Sequence, residues 1–171
     1  MKNLIKRSLL VLIATSLFPV QAAIHGVHEG WIFESVKPDT FLHFFTGGAS
    51  AVMSKRVTNP ERGAPSVRIY SIQTDVSKLN DSKEVWRAAL IQTKKKMLIM
   101  NERFITVKGQ TRYIIEYQTD SGTESMLQSA VMGVVVNGEL QKFLYEYPQI
   151  VYRTEIAEIR TLYSSVDLKT E

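Results

Sequence analysis

Val131-Met132-Gly133-Val134-Val135-Val136-Asn137-Gly138-Glu139-Leu140-Gln141-Lys142-Phe143-Leu144-Tyr145-Glu146-Tyr147 is the stretch that decides the fold. Its first six residues are nearly all apolar, which suits a central strand covered on both faces. Asn137-Gly138 follows, the pair best able to close a two-residue hairpin, because both turn positions need positive φ. The returning arm places Phe143, Tyr145 and Tyr147 on one side. The expectation is a long antiparallel hairpin at the centre of a sheet.

Working outward, residues 112–118 alternate, with Tyr113, Ile115 and Tyr117 on one face. Phe104-Ile105-Thr106-Val107 and a Lys108-Gly109 turn precede them, and Asp120-Ser121-Gly122 turns the chain after them. Arg112 and Glu116 share one strand face and are expected to point outward as a surface charge pair. Further upstream, Asp81 with Glu84 three residues on predicts a capping box. Val85, Trp86, Ala89 and Leu90 then share a helical face, and Lys94-Lys95-Lys96 falls in the expected last turns. Residues 67–72 form a strand candidate, and residues 58–65 have loop chemistry. Thr40-Phe41-Leu42-His43-Phe44-Phe45-Thr46, then Gly47-Gly48, then residues 49–57, predict a hairpin with a glycine turn. Downstream, Pro148 ends the sheet. A helix is expected from about Thr154 to Val166, with Tyr152, Ile156, Ile159, Tyr163 and Val166 as its inward stripe. The order gives an α+β sandwich: an antiparallel sheet covered by helices, closed by a C-terminal helix.

The start of the chain bears on location. Lys2, Lys6 and Arg7 precede an apolar run over residues 9–18, then Pro19 and Val20-Gln21-Ala22. That is the layout of a secretory signal peptide cleaved after Ala22, and the run is shorter than the ~20 residues a membrane span needs. The expected organisation is a signal over residues 1–22, an N-terminal segment over 23–39, and a single α+β domain over 40–171. Export to the periplasm as a soluble protein, with no stable membrane anchor, is the expectation. Cleavage would remove three of the 21 basic residues, leaving 18 against 17 acidic, a net charge of +1. That balance gives no reason to expect nucleic-acid binding. The chain has no cysteine, which excludes disulfides, thiol chemistry and lipid attachment at the cleavage site.

The order of elements resembles the PsbP-like fold. The resemblance rests on the helix around Val85 to Lys96, the hairpin from Val107-Lys108-Gly109 to Tyr117, the Asn137-Gly138 hairpin, and the closing Ile159-x-x-Leu162-x-Ser164-Ser165-Val166. The fold is shared by accessory proteins of the photosynthetic oxygen-evolving complex, a Ran-binding nuclear import factor and small bacterial envelope proteins. It implies a binding or assembly role rather than catalysis. The aromatic run over Phe41 to Phe45 departs from the family's start.

Few residues could carry chemistry. Cleavage after Ala22 would expose Ala23-Ile24-His25, and a free amine, two amides and a third-position histidine can surround Cu(II) in a square plane. His25 is the candidate metal residue, with His28 as an added ligand; otherwise it is a tail histidine. His43 lies among phenylalanines, without a visible triad. Asp75 with Asp81, and Asp120 with Glu124, flank turns without an EF-hand pattern. No nucleophile elbow, zinc-helix motif or phosphate loop occurs, so no catalytic residue and no cofactor are expected. Phe41, Phe45, Phe143, Tyr145 and Tyr147 are either core or an exposed partner surface. The expected function is a periplasmic binding or assembly module acting by protein–protein contact with an envelope or effector protein. The alternatives are an immunity protein that neutralises a secreted toxin, and a binder of a small ligand or lipid.

Overall fold

The computed structural model describes residues 24–28, 30–55, 65–120, 126–148 and 153–170. The signal segment, its cleavage site, most of the 58–65 loop, Tyr152 and the Ser121-Gly122 turn lie outside them.

The expected central hairpin is present. Strand β7 (Met126–Val136) pairs with β8 (Glu139–Pro148), with Met132 opposite Phe143 and Val136 opposite Glu139. Asn137 and Gly138 have φ of 52° and 78°, the left-handed pair that a tight hairpin demands. Five further strands extend the sheet: β2 (Trp31–Ser35), β3 (Ala51–Lys55), β4 (Ser66–Ile72), β5 (Met97–Val107) and β6 (Gln110–Asp120). The order is β2-β3-β4-β8-β7-β6-β5, antiparallel at every step. A separate ribbon pairs β1 (Ile24–Val27) with β9 (Asp167–Thr170).

Three α-helices accompany the sheet: α1 (Phe41–Phe45), α2 (Lys83–Leu90) and α3 (Arg153–Ser165). On one face, Ile156, Ile159, Leu162, Tyr163 and Val166 pack with Met132, Val134, Val136 and Phe143. On the other, Trp86 and Leu90 pack with Tyr113, Ile115, Val131 and Leu140. Residue 133 is a glycine against α2: a Cβ there would lie 2.4 Å from Leu90 Cδ1, and Leu90 would have to shift. The helical cover is partial. Eight residues of α2 span about 12 Å, whereas the 11-residue strands beneath it run about 36 Å. The architecture is an α+β fold built on a seven-stranded antiparallel sheet.

Several local expectations are corrected. Residues 41–45 form a helix, not a strand. Thr40 caps it by accepting a hydrogen bond from the His43 amide at 3.2 Å. Gly47 and Gly48, at φ 67° and 83°, then end the helix rather than turn a hairpin. Helix α2 begins after Ser82, which makes no side-chain bond to the helix amides and instead donates to Glu84 at 2.8 Å. It stops at Leu90, so Lys94-Lys95-Lys96 lies beyond it. The Thr93 hydroxyl accepts from the Lys95 amide at 3.2 Å, a turn that competes with continued helix.

Arg112 and Glu116 point inward, not outward. Arg112 is fully buried and donates to Tyr163 O at 2.9 Å and Val166 O at 2.6 Å, the carbonyls at the end of α3. A cation suits that helix end, where carbonyls are otherwise unpaired. Burial lowers its pKa, with Asp167 opposing. Glu116 takes a two-pronged contact from Arg160 at 2.8 and 2.6 Å, tying α3 to β6.

Candidate functional site

Among the described residues, one aromatic group is without cover. Phe41, Phe44 and Phe45 on α1 are 83%, 85% and 75% exposed. Phe41 and Phe45, one helical turn apart, stack with ring centroids 6.1 Å apart. The helix is held from behind. Thr46 Oγ1 donates to Leu42 O at 2.7 Å, and the Tyr70 hydroxyl donates to Thr46 O at 3.0 Å. His43 Nδ1 lies 3.3 Å from Ala49 O, so His43 turns toward the fold while the three phenylalanines turn away. A short helix fixed at both ends therefore presents three large apolar side chains to solvent.

The other aromatic candidates are not part of that surface. Phe143, Tyr145 and Tyr147 are core, at 0%, 4% and 7% exposure, beneath α3. The Tyr145 hydroxyl donates to the Glu155 carboxylate. The physical reason is the apolar stripe of α3, which must bury against this face of β8. The sequence reading missed Phe44. Its signal was helical spacing, since Phe41, Phe44 and Phe45 fall on one side of a helix but on both sides of a strand.

His28 and His43 have different partners. The His25 backbone pairs with Lys169 in the β1–β9 ribbon, and its side chain lies outside the described residues. His28 Nε2 lies 2.7 Å from Ser165 Oγ. Among the described residues no three metal-ligating side chains cluster, and no helix is long and apolar enough to cross a membrane. Asp75 accepts from Ser77 Oγ at 2.6 Å and from its amide at 3.2 Å. These bonds hold its carboxyl below the usual range.

A second feature lies on the α2 side of the sheet. Ile91, Gln92, Thr93 and Lys95 border an open cleft of about 240 Å³ beside β6, β7 and β8. Tyr117, Thr119, Leu127 and Ser129 form the floor, beside Lys142, Leu144 and Glu146. The alternation of β8 puts Leu140, Lys142, Leu144 and Glu146 on this face, opposite its aromatic row. Glu146 is paired with Arg68. The Lys142 ammonium stands 5.8 Å from the Tyr70 ring centroid. Burial pushes the Lys142 pKa down; Glu146 opposes this and Arg68 adds to it.

No family model matches the chain, and no curated protein matches it in sequence. Solved structures are similar. The solution structure of cyanobacterial PsbP (CyanoP) from Synechocystis sp. PCC 6803 matches with 19% identity and a TM-score of 0.48, over 86% of this chain and 94% of that one. The crystal structure of a protein of unknown function from Pseudomonas aeruginosa matches with 10% identity and a TM-score of 0.44, over 84% and 81%.

Proposed function

We propose that the chain is an exported, periplasmic, non-catalytic binding module that docks a protein partner through the α1 tip. The observation that carries this reading is the exposure of Phe41, Phe44 and Phe45, each at least 75% open on one five-residue helix. Three phenylalanines offer roughly 450 Å² of apolar surface, the size of patch that marks interaction sites. Burying one such ring is worth about 2 kcal/mol. A protein partner fits better than a lipid surface because the flanking charges, Lys37 and Asp39, cancel, whereas anionic headgroups favour clustered cations. The basic, apolar and small-residue layout of residues 1–22 supports export.

The test is a photo-reactive residue at position 44 in the exporting cell. The expected result is one discrete crosslinked protein, reproducibly identified, lost when Phe41→Ser/Phe45→Ser is added to the chain that carries the reactive residue at 44, and absent when the reactive residue sits at position 34. Crosslinks only to lipid, to a second copy or to residues 1–22 would overturn the partner reading.

A further inference from the structure

We propose that the cleft beside residues 91–95 binds a compact organic carboxylate, with Lys142 as its counter-cation. This site is separate from the α1 tip and does not depend on the partner reading.

The charges in and beside the cleft are unequally committed. Arg68 and Glu146 satisfy each other. The Lys142 ammonium has no carboxylate or carbonyl bonded to it among the described residues, and its nearest aromatic contact is the Tyr70 ring at 5.8 Å. A half-buried ammonium is costly to hold without an anion, so the folded protein keeps an open electrostatic valence at this point. Lys95 on the rim adds a second positive charge. Hydroxyls sit alongside: Tyr117 and Ser129, which bond to each other, and Thr93 and Thr119. Each can also donate to or accept from a ligand oxygen.

The remaining lining selects the kind of anion. Ile91, Leu127, Leu144 and the Tyr117 ring give the cleft an apolar flank. An organic body can cover that surface, and inorganic phosphate cannot. Phosphate sites gather several cations or a run of backbone amides, and here one half-buried lysine stands free. The cleft is small, at about 240 Å³. That suits one small ring or short chain bearing a carboxylate.

Benzoate is the probe, with benzamide as its uncharged counterpart and inorganic phosphate as the ring-free anion. Backbone amide NMR shifts are followed in the chain from residue 23 on. The expected result is saturable benzoate binding, with a Kd on the order of 1 mM, and with shifts confined to residues 91–95, 117–119, 127–129 and 142–146. Lys142→Met should weaken it at least about tenfold, and Lys142→Arg should retain most of it. Thr93→Glu, a change on the exposed rim that leaves the core untouched, should abolish it by like-charge repulsion. Equal binding of benzamide would overturn the role of Lys142. Equal competition by phosphate would overturn the organic-carboxylate assignment. Absence of saturable shifts in the cleft would overturn the site.

Discussion

Lys142 lies between Leu140 and Leu144 on one face of β8, and burial holds its pKa below the ordinary lysine range. The unfolded chain therefore binds that proton more tightly than the folded one. The penalty is complete below the folded pKa, and stability rises as pH climbs from there toward the ordinary value near ~10.4. Lys142→Met is expected to raise the unfolding free energy at pH 7 by about 1 kcal/mol. A higher urea midpoint with an unchanged slope would show it, and the gain should shrink as pH rises through that window. Phe44 presents the opposite case. At 85% exposure it contributes little to folding, so Phe44→Ser should shift stability by no more than about 0.5 kcal/mol while crosslinking from a photo-reactive residue moved to position 41 falls. The sequence named Phe41 and Phe45, and both are at the surface. It could not separate them from Phe143, Tyr145 and Tyr147, because a row of aromatics has the same alternation whether or not a helix covers it. The cleft was harder still to see. Its one legible sign was a lysine and a glutamate interleaved with leucines along a strand.

At the scale of elements, side chains reaching across the fold decide what holds. Arg112 on β6 closes the carbonyl end of α3, and nothing else buried there could replace its two donors. Arg112→Met is expected to cost about 3 kcal/mol, read from denaturant unfolding, with protection of α3 amides lost first. On the opposite face, Glu102 of β5 accepts from Tyr113 at 2.6 Å and pairs with Arg87 of α2 at 2.8 Å. Burial raises its pKa, but bonds from Tyr113 and Arg87 outweigh that and hold it below the ordinary range. Its contribution is complete above the unfolded value near ~4.3 and is lost as pH falls through the depressed folded value. Glu102→Gln should be less stable at pH 7 and show a smaller loss on acidification below about pH 4. Thermal midpoints measured against pH would decide it.

The elements were unevenly legible. The β7–β8 hairpin, β4, β6 and α3 follow from alternation, Asn137-Gly138 and a four-three stripe, all local and strong. Helix α1 was misread because its phenylalanines favour strands in isolation. Thr40 ahead of them and Gly47 behind were the helix signals that won. The early end of α2 was hidden because three lysines suit a last helical turn as well as a loop.

Across the whole molecule, the α+β class was readable, since one sheet needs its apolar faces met and the chain supplies an amphipathic segment for each. Register between distant strands was not, because β4 pairs with β8 only through long-range packing. The Arg112–α3 contact was invisible for the same reason: 51 residues separate donor from acceptor. Gly133 shows how closely α2 packs on its face of the sheet. Gly133→Ala is expected to cost about 2 kcal/mol by pushing Leu90 off its seat, and to change the near-ultraviolet signal of Trp86 more than the far-ultraviolet signal.

The β1–β9 ribbon pairs Ile24 with Thr170, residues at opposite ends of the described chain. Two antiparallel partners stand about 5 Å apart, close enough for a two-residue turn to join them. The ribbon thus brings residues 24 and 170 side by side. An asparagine-glycine pair joining Thr170 to Ile24 should link them, and the chain should then tolerate opening between Lys108 and Gly109, another tight turn with φ of 49° and 80°. A permuted protein of that kind would keep the same neighbours in the same sheet while starting and ending at a hairpin.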